Sequence, residues 1–473
     1  MRISFLPFIA LLVCFAGCSK PARTDIPTVP DQKPGAFTVT VIYRTETDAT
    51  IQWTAAPDTP DDTIRYSVYL KGIKLDSNLA VLTDTLTKLL PDSSYKGLVI
   101  ATDRKGDTSV APFELPAFQG FLYIYDQNKS LYCYNIATGK QKWIVKNLFA
   151  VGVISPVCHQ DTLFSLGTSL GIITLYAHNK QTGALIWKDT IQRNSPLSPI
   201  QTNSTLALEN GELVYVIDSD IYACNSKDGH FRWRSTVAEG YSFQIQPVIA
   251  GGLVYIGGLD KKMHALDAAS GVERWAFNTK ELLWESNPSV ANGLVYFGAE
   301  SGSLFALNAG TGVKAWSMNT SADPISTSPR VEGSTLYMSM NDGSVYSLNA
   351  LTGKINWQYL VPNQAMMSNP AVDNSSVYVG TWDGNRWSDL LAINKTSGAL
   401  RWRIRISGAN SWAMEPIAAG NRVYVYAGSY VNIYNATNGA FIKTIDIIYQ
   451  LITGFAVDIN DSIYYPASSP MVQ

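Results

Sequence analysis

Chemistry needs nucleophiles, proton carriers or metal ligands at workable spacing. Four histidines, His159, His178, His230 and His264, lie in four separate segments. None shares a zinc-type ligand spacing with another histidine or a cysteine. Five cysteines occur, at 14, 18, 133, 158 and 224, and no two are adjacent. Cys133, Cys158 and Cys224 form an odd set in strand-like apolar runs, which predicts buried thiols rather than a disulfide framework. One Gly-x-Ser-x-Gly occurs, Gly167-Thr-Ser-Leu-Gly171. A hydrolase elbow needs a strand before it and a helix after it. Strand-like runs flank this copy on both sides, so a turn is expected. No Walker loop and no His-Glu-x-x-His is present. Lys+Arg total 36 against 38 Asp+Glu, so no cationic excess favours nucleic acid. The expectation is a chain without catalytic residues, metal or cofactor.

The elements that would position any site are strands. The chain has 473 residues, 46% hydrophobic and only 16% charged, with 35 glycines, 25 tyrosines and 12 tryptophans. That balance favours strands and tight turns over helices. A repeat then organises most of the chain. Its first copy reads Asn135-Ile-Ala-Thr-Gly139-Lys-Gln-Lys-Trp143 and its fourth Asp267-Ala-Ala-Ser-Gly271-Val-Glu-Arg-Trp275. The eight glycines are 139, 183, 229, 271, 312, 353, 398 and 439. Lys443 stands where the eighth tryptophan would be. The Asp or Asn caps its own turn, the glycine takes positive φ, and the tryptophan packs across a neighbouring turn. These positions read as glue between repeats, with one looser junction at Lys443. Each repeat holds four short strands, A to D, with the Asx–Gly turn joining C to D. That pattern predicts the blades of an eight-bladed β-propeller over residues 118–473.

The Asp/Asn-x-x-Thr/Ser-Gly-x-x-x-Trp motif resembles the quinoprotein-type (PQQ-like) propeller repeat. The resemblance extends to the propeller lipoproteins of outer-membrane barrel assembly. It implies a binding or scaffolding role in envelope protein assembly. The same repeat occurs in dehydrogenases that use pyrroloquinoline quinone and calcium, which the resemblance brings as an alternative. Those enzymes carry adjacent cysteines and calcium-binding inserts that are not recognisable here.

The N-terminus reads as an export signal over residues 1–17, basic at Arg2 and apolar from Ile3 to Phe15. Phe15-Ala-Gly-Cys18 resembles a bacterial lipobox, which makes Cys18 the expected lipidated residue. Ser19 after it implies an outer-membrane anchor facing periplasm or cell surface. Residues 18–35 are a polar, proline-bearing tether. Residues 36–117 alternate with period two and predict a β-sandwich. Trp53 and Leu90-Pro-Asp-Ser-Ser-Tyr95 resemble fibronectin type III. The fold class is therefore all-β, a sandwich followed by a propeller.

Seven tryptophans belong to the repeat and Trp53 to the sandwich core, leaving Trp284, Trp382, Trp387 and Trp412. With antiparallel strands, the D–A and B–C connections share one face, here called the top. Phe243, Trp284, Met366 and Trp412 precede A strands, and Trp382 and Trp387 flank an enlarged B–C loop. All six fall on the top. Two readings stay open: they plug the channel, or they form a surface for an extended peptide or protein loop. A glycan is the alternative ligand. Polar residues precede the A-strand prolines: Ser155, Ser198, Gln246, Asn287, Ser328, Asn369 and Glu415. They are expected to line the channel.

Overall fold

The computed structural model describes residues 32–465 apart from 46, 59–62, 91–92, 127–128, 149–155, 170–171, 193–205, 218, 237–245, 284–285, 321–324, 326, 362–365, 383–387, 407–414, 428, 448–451 and 460–461. The described residues form strands and turns, with no helix among them. They fall into two compact units. One takes in residues up to Thr40 with Gln52–Asp84 and Lys96–Phe113. The other takes in Val41–Ile51, Thr85–Tyr95 and the chain from Glu114 onward.

Among the described residues, seven strands precede residue 117. Val39–Arg44, Ala49–Trp53 and Thr83–Leu86 form one sheet; Ile73–Leu79, Arg65–Leu70, Tyr95–Thr102 and Thr108–Leu115 form another. Buried Trp53 meets Tyr66 at 5.5 Å between ring centroids. The Leu90 N–H donates to the Tyr95 hydroxyl at 2.6 Å, a corner that ties the strand to the loop before it.

Eight further sheets follow, one per repeat. Blade 4 shows the plan, with Val248–Ala250 (A), Leu253–Gly257 (B), Lys262–Asp267 (C) and Glu273–Asn278 (D). Each strand pairs antiparallel with the next. Strands A to C are buried on both faces, whereas D alternates because it is the outer strand. The cores lie between blades: one cluster joins Ala207, Val214 and Trp233 of blade 3 to Ile249, Val254 and Leu266 of blade 4.

The repeat glycines take φ of +69° to +75°. Each glycine N–H donates to the carbonyl of its Asn or Asp at 2.8–2.9 Å. The Asx side chain caps the same turn, as with Thr311 N to Asn308 Oδ1 at 3.0 Å. A second requirement for glycine comes from the preceding blade. A Cβ on Gly271 would lie 2.4 Å from Trp233, and the other six Trp-facing glycines would give 2.6–2.9 Å. Each tryptophan thus lies flat on the next blade's glycine. Its indole N–H donates to the carbonyl one residue after the Asx, at 2.7–3.1 Å in all seven cases.

Two devices aim that indole. The D strand skips one residue of register just before the tryptophan position in every blade, a bulge that turns the strand. A B-strand tyrosine or phenylalanine also backs the ring at 5.7–6.2 Å in six blades. In three blades the tyrosine hydroxyl donates to the same carbonyl as the indole. An aromatic contact of this kind contributes about 0.5–1.5 kcal/mol.

The eighth junction uses different chemistry at the same place. Lys443 Nζ donates to the Ile136 carbonyl, the equivalent of the seven indole acceptors, and to Ala137 O at 2.9 Å. A Cβ placed on Gly139 would accordingly meet nothing within 4 Å. The ammonium keeps the hydrogen bond and gives up the ring contact.

Closure accounts for a strand the repeat pattern leaves over. Ile452–Ile459 pairs with Gly120–Asp126 as the A strand of blade 1, and Ser462–Tyr464 adds a fifth strand inside it. The Tyr465 hydroxyl then meets blade 2, accepting from Cys158 N at 2.6 Å and donating to Cys158 O at 3.0 Å. A buried pair, Lys180 Nζ to Asp458 Oδ2 at 3.2 Å, links the same two blades.

Candidate partner-binding site

Blade 7 departs from the common plan at its top end. Its B strand, Ser376–Trp382, and C strand, Ser388–Asn394, each run seven residues, against five and six in blades 4 to 6. Its A strand is split into Met366–Met367 and Ala371–Val372. The first piece pairs with the extension, placing Met366 directly across from Trp382. The two strands that flank residues 383–387 thus form a ladder up to two residues longer than those of blades 4 to 6. Trp382 is half-buried at the end of that ladder.

Beside it, Asp389 is buried and accepts from two arginines of the D strand. Arg403 Nε lies 2.9 Å from Oδ2, and Arg405 Nε lies 3.1 Å from Oδ1. One carboxylate thus accepts from two guanidiniums at once, which fixes both by charge-assisted bonds. The described part of the site is therefore one tryptophan, one methionine backbone and two aligned arginines. Phe243, Trp284, Trp387 and Trp412 lie outside the described residues, as does Cys18.

The residues expected to line the channel are buried or half-buried where they are described, and they form a relay. Gln246 N–H donates to Asn287 Oδ1 at 2.9 Å. Asn287 N–H donates to Ser328 Oγ at 3.1 Å. Ser328 N–H donates to Asn369 Oδ1, and Asn369 Nδ2 donates to Glu415 Oε1. The physical reason is the proline that follows each of them. Proline holds the preceding residue extended, and that residue's N–H then faces the next blade. A side-chain acceptor at the same register completes the bond. One position earlier a second layer repeats the idea within each of two blades: Gly298 N–H donates to Ser286 Oγ at 2.9 Å and Gly380 N–H to Ser368 Oγ at 2.8 Å. Glu415 is the one carboxylate among the described members of the relay. It adds to the burial that raises the pKa of Tyr426. Among the described residues, Gln246 Oε1 is a buried acceptor with no partner. The 41-residue spacing of Gln246, Asn287, Ser328 and Asn369 carried this relay, but their bonding to one another shows only in the structure. Ser155 and Ser198 lie outside the described residues.

The other reactive side chains are tied to the fold. Cys133, Cys158 and Cys224 are buried free thiols. Burial pushes the Cys133 and Cys224 thiols up to about 12, so neither is a thiolate at neutral pH. His264 is held between two carboxylates, Nδ1 to Glu273 Oε1 at 2.7 Å and Nε2 to Asp260 Oδ2 at 3.2 Å. His178 stacks on Tyr176, and burial lowers its pKa to about 4. Gly167 to Ser169 of the Gly-x-Ser-x-Gly motif continue the B strand of blade 2 and pair with Ile172–Thr174, so no elbow forms there. No group of three or more His, Cys, Asp or Glu among the described residues is placed to hold a metal.

Comparison with known proteins agrees with this architecture. A family model described as "Outer membrane protein assembly factor BamB" matches residues 104–244, 218–381 and 362–442. No curated protein gives a significant match. Among solved structures, the quinohemoprotein alcohol dehydrogenase of Comamonas testosteroni is 13% identical. It aligns over 63% of this chain and 67% of its own, with a TM-score of 0.51. The quinohemoprotein alcohol dehydrogenase ADHIIG of Pseudomonas putida HK5 is also 13% identical, over 69% and 76%, with a TM-score of 0.52. BamB from Moraxella catarrhalis is 20% identical over 67% and 88%, with a TM-score of 0.49. At these identities the two dehydrogenases establish a shared propeller fold and nothing finer.

Proposed function

Because the chain belongs to the outer membrane protein assembly factor BamB family, we propose that it is a non-catalytic binding and scaffold protein of the outer membrane. The family match, which spans residues 104–442, carries this reading. In it, Cys18 bears the lipid anchor, which is the attachment to the membrane, and residues 18–35 form the tether. The segment 36–117 is a fibronectin III-like spacer. No helix among the described residues is long and apolar enough to cross a membrane.

The mechanism is docking of an extended peptide or protein loop on the top of blade 7. Trp382 offers a large flat contact, and Arg403 and Arg405 offer donors already aligned by Asp389. Tryptophan and arginine dominate binding energy where they can be desolvated together. Asp389 of the extended hairpin already holds the two D-strand arginines in place, so less conformational entropy is lost on docking. Trp387 and Trp412 complete the surface in this reading.

The test is affinity capture of the native, membrane-extracted protein after crosslinking. Recovery of outer-membrane assembly components, lost in Trp382→Ala, is the expected result. Recovery of none at native expression sinks the reading. Reduction of a dye after addition of pyrroloquinoline quinone, calcium and an alcohol would instead make the protein an enzyme.

A further inference from the structure

Among the described residues, most exposed apolar side chains of the propeller lie on the face opposite Trp382. Thirteen large apolar residues of the described propeller are exposed, and ten of them lie in the eight nine-residue C–D turn segments that run from the Asx to the Trp position. Examples are Phe231 at 59%, Val272 at 60%, Val313 at 65% and Phe441 at 60% exposed. Scattered exposed apolar residues are ordinary on a protein surface. Ten confined to one turn position, in seven of eight blades, are not scattered.

The same segments carry the chain's charge asymmetry. Their 72 residues hold 11 Lys and Arg against three acids, Asp228, Asp267 and Glu273. The whole chain has 36 against 38, so the other 401 residues hold 25 against 35. Lys140, Lys142, Lys227, Lys314, Lys354 and Arg401 are exposed and form no ion pair among the described residues. Three acids of the A–B turns on the same face are answered locally, whereas Asp161 of blade 2 is exposed. Glu209 accepts from Gly251 and Gly252 N–H, Glu212 pairs with Arg232, and Glu332 pairs with Lys395. The glycine–tryptophan stack beneath holds seven of these turns in one conformation, so the collar is displayed ready-made.

We propose that this C–D collar is a docking surface for a bilayer bearing anionic phospholipid headgroups. Cations interleaved with aliphatic and phenylalanine side chains are the pattern that lies in a lipid interface: the apolar groups enter the acyl boundary and the cations meet phosphates. The distribution selects a membrane over a protein. A protein partner concentrates its energy in a compact central cluster. Here the contacts are spread thinly around a ring of turns at one end of the blades, and a flat, laterally uniform surface can touch them together. The collar opposes the Trp382 face, so a membrane-seated propeller would leave that face open. The inference rests on the collar and is independent of the assembly reading.

The test uses the full chain with Cys18→Ala, which takes the acyl anchor out of the measurement. Cosedimentation is measured with phosphatidylcholine vesicles, with and without phosphatidylglycerol, at low and high salt. Tighter binding to the anionic vesicles, weakened by salt but not abolished, is expected. Neutralising Lys140, Lys314 and Lys354 to Gln should weaken it about a hundredfold, at roughly fivefold per cation. Changing Val272, Val313 and Phe231 to Ser should weaken what remains at high salt. These side chains are exposed, so unchanged melting curves are expected for both variants. Absence of binding to anionic vesicles overturns the proposal. So does binding that neither variant alters, or an effect of the variants confined to capture of a protein.

Discussion

Gly271→Ala and Gly139→Ala form a matched pair that separates two reasons for a glycine. Their φ values are +70° and +69°, so the backbone penalty of an L side chain is common to both, about 1–2 kcal/mol. They differ in what lies above them. An alanine Cβ at 271 would sit 2.4 Å from the Trp233 ring, which is buried and whose N–H is held by Ala268 O at 2.7 Å. At 139 the space is open, because Lys443 replaces the ring. Pushing a packed indole aside costs about a further 1–3 kcal/mol. Gly139→Ala should therefore lose about 1–2 kcal/mol and Gly271→Ala about 2–5. Urea unfolding of the full chain, followed by tryptophan fluorescence, measures both. Equal losses would refute the claim that the tryptophan demands the glycine. A control sharpens it: with Lys443→Trp in place, Gly139→Ala should become as costly as Gly271→Ala.

Three further outcomes follow from buried polar groups. His178 has a folded pKa of about 4 against 6.5 unfolded, so the unfolded chain binds the proton first as pH falls. Its stabilising contribution is complete above about pH 6.5, is lost progressively toward pH 4, and totals up to about 3 kcal/mol. His178→Phe, which keeps the stack on Tyr176, should flatten stability between pH 7 and 4.5; an unchanged slope contradicts the assignment. Lys180→Met alone should cost about 3–5 kcal/mol by removing the cation from a buried pair, and Lys180→Met with Asp458→Leu should recover most of it in denaturant titration. Asn287→Ala leaves the buried Gln246 N–H without its acceptor and should cost about 1–3 kcal/mol, whereas Asn287→Asp retains it. Equal losses in the two Asn287 variants would remove the relay from the account.

The propeller was legible because its turn chemistry repeats. Asx, glycine and tryptophan each do a local job at a set offset, so Gly183 and Trp187 could be placed without coordinates. That each tryptophan packs across a neighbouring turn was legible as well; that the contact is the glycine of the next blade, about 40 residues later, was not. Lys443 read as a loosened junction from its identity; its reach to the Ile136 carbonyl depends on a long side chain crossing the closure of the ring. The terminal strand Ser462–Tyr464 had no counterpart in the repeat and so no rule to place it. At the candidate site, the enlarged loop marked blade 7, but Arg403 and Arg405 were silent. They matter only because Asp389 lies across the sheet from both. The C–D collar is visible as composition once the turns are superposed, yet only their exposure distinguishes displayed valines from packed ones.

Site-specific photocrosslinking in cells tests the central claim most directly. A photoreactive residue at position 382, on the blade 7 hairpin, is compared with one at the exposed Lys314 on the opposite face. The account predicts a discrete adduct from 382 with an outer-membrane assembly protein and none with it from 314. A well-expressed, anchored protein that gives no adduct at 382, or the same adduct from both positions, would contradict it.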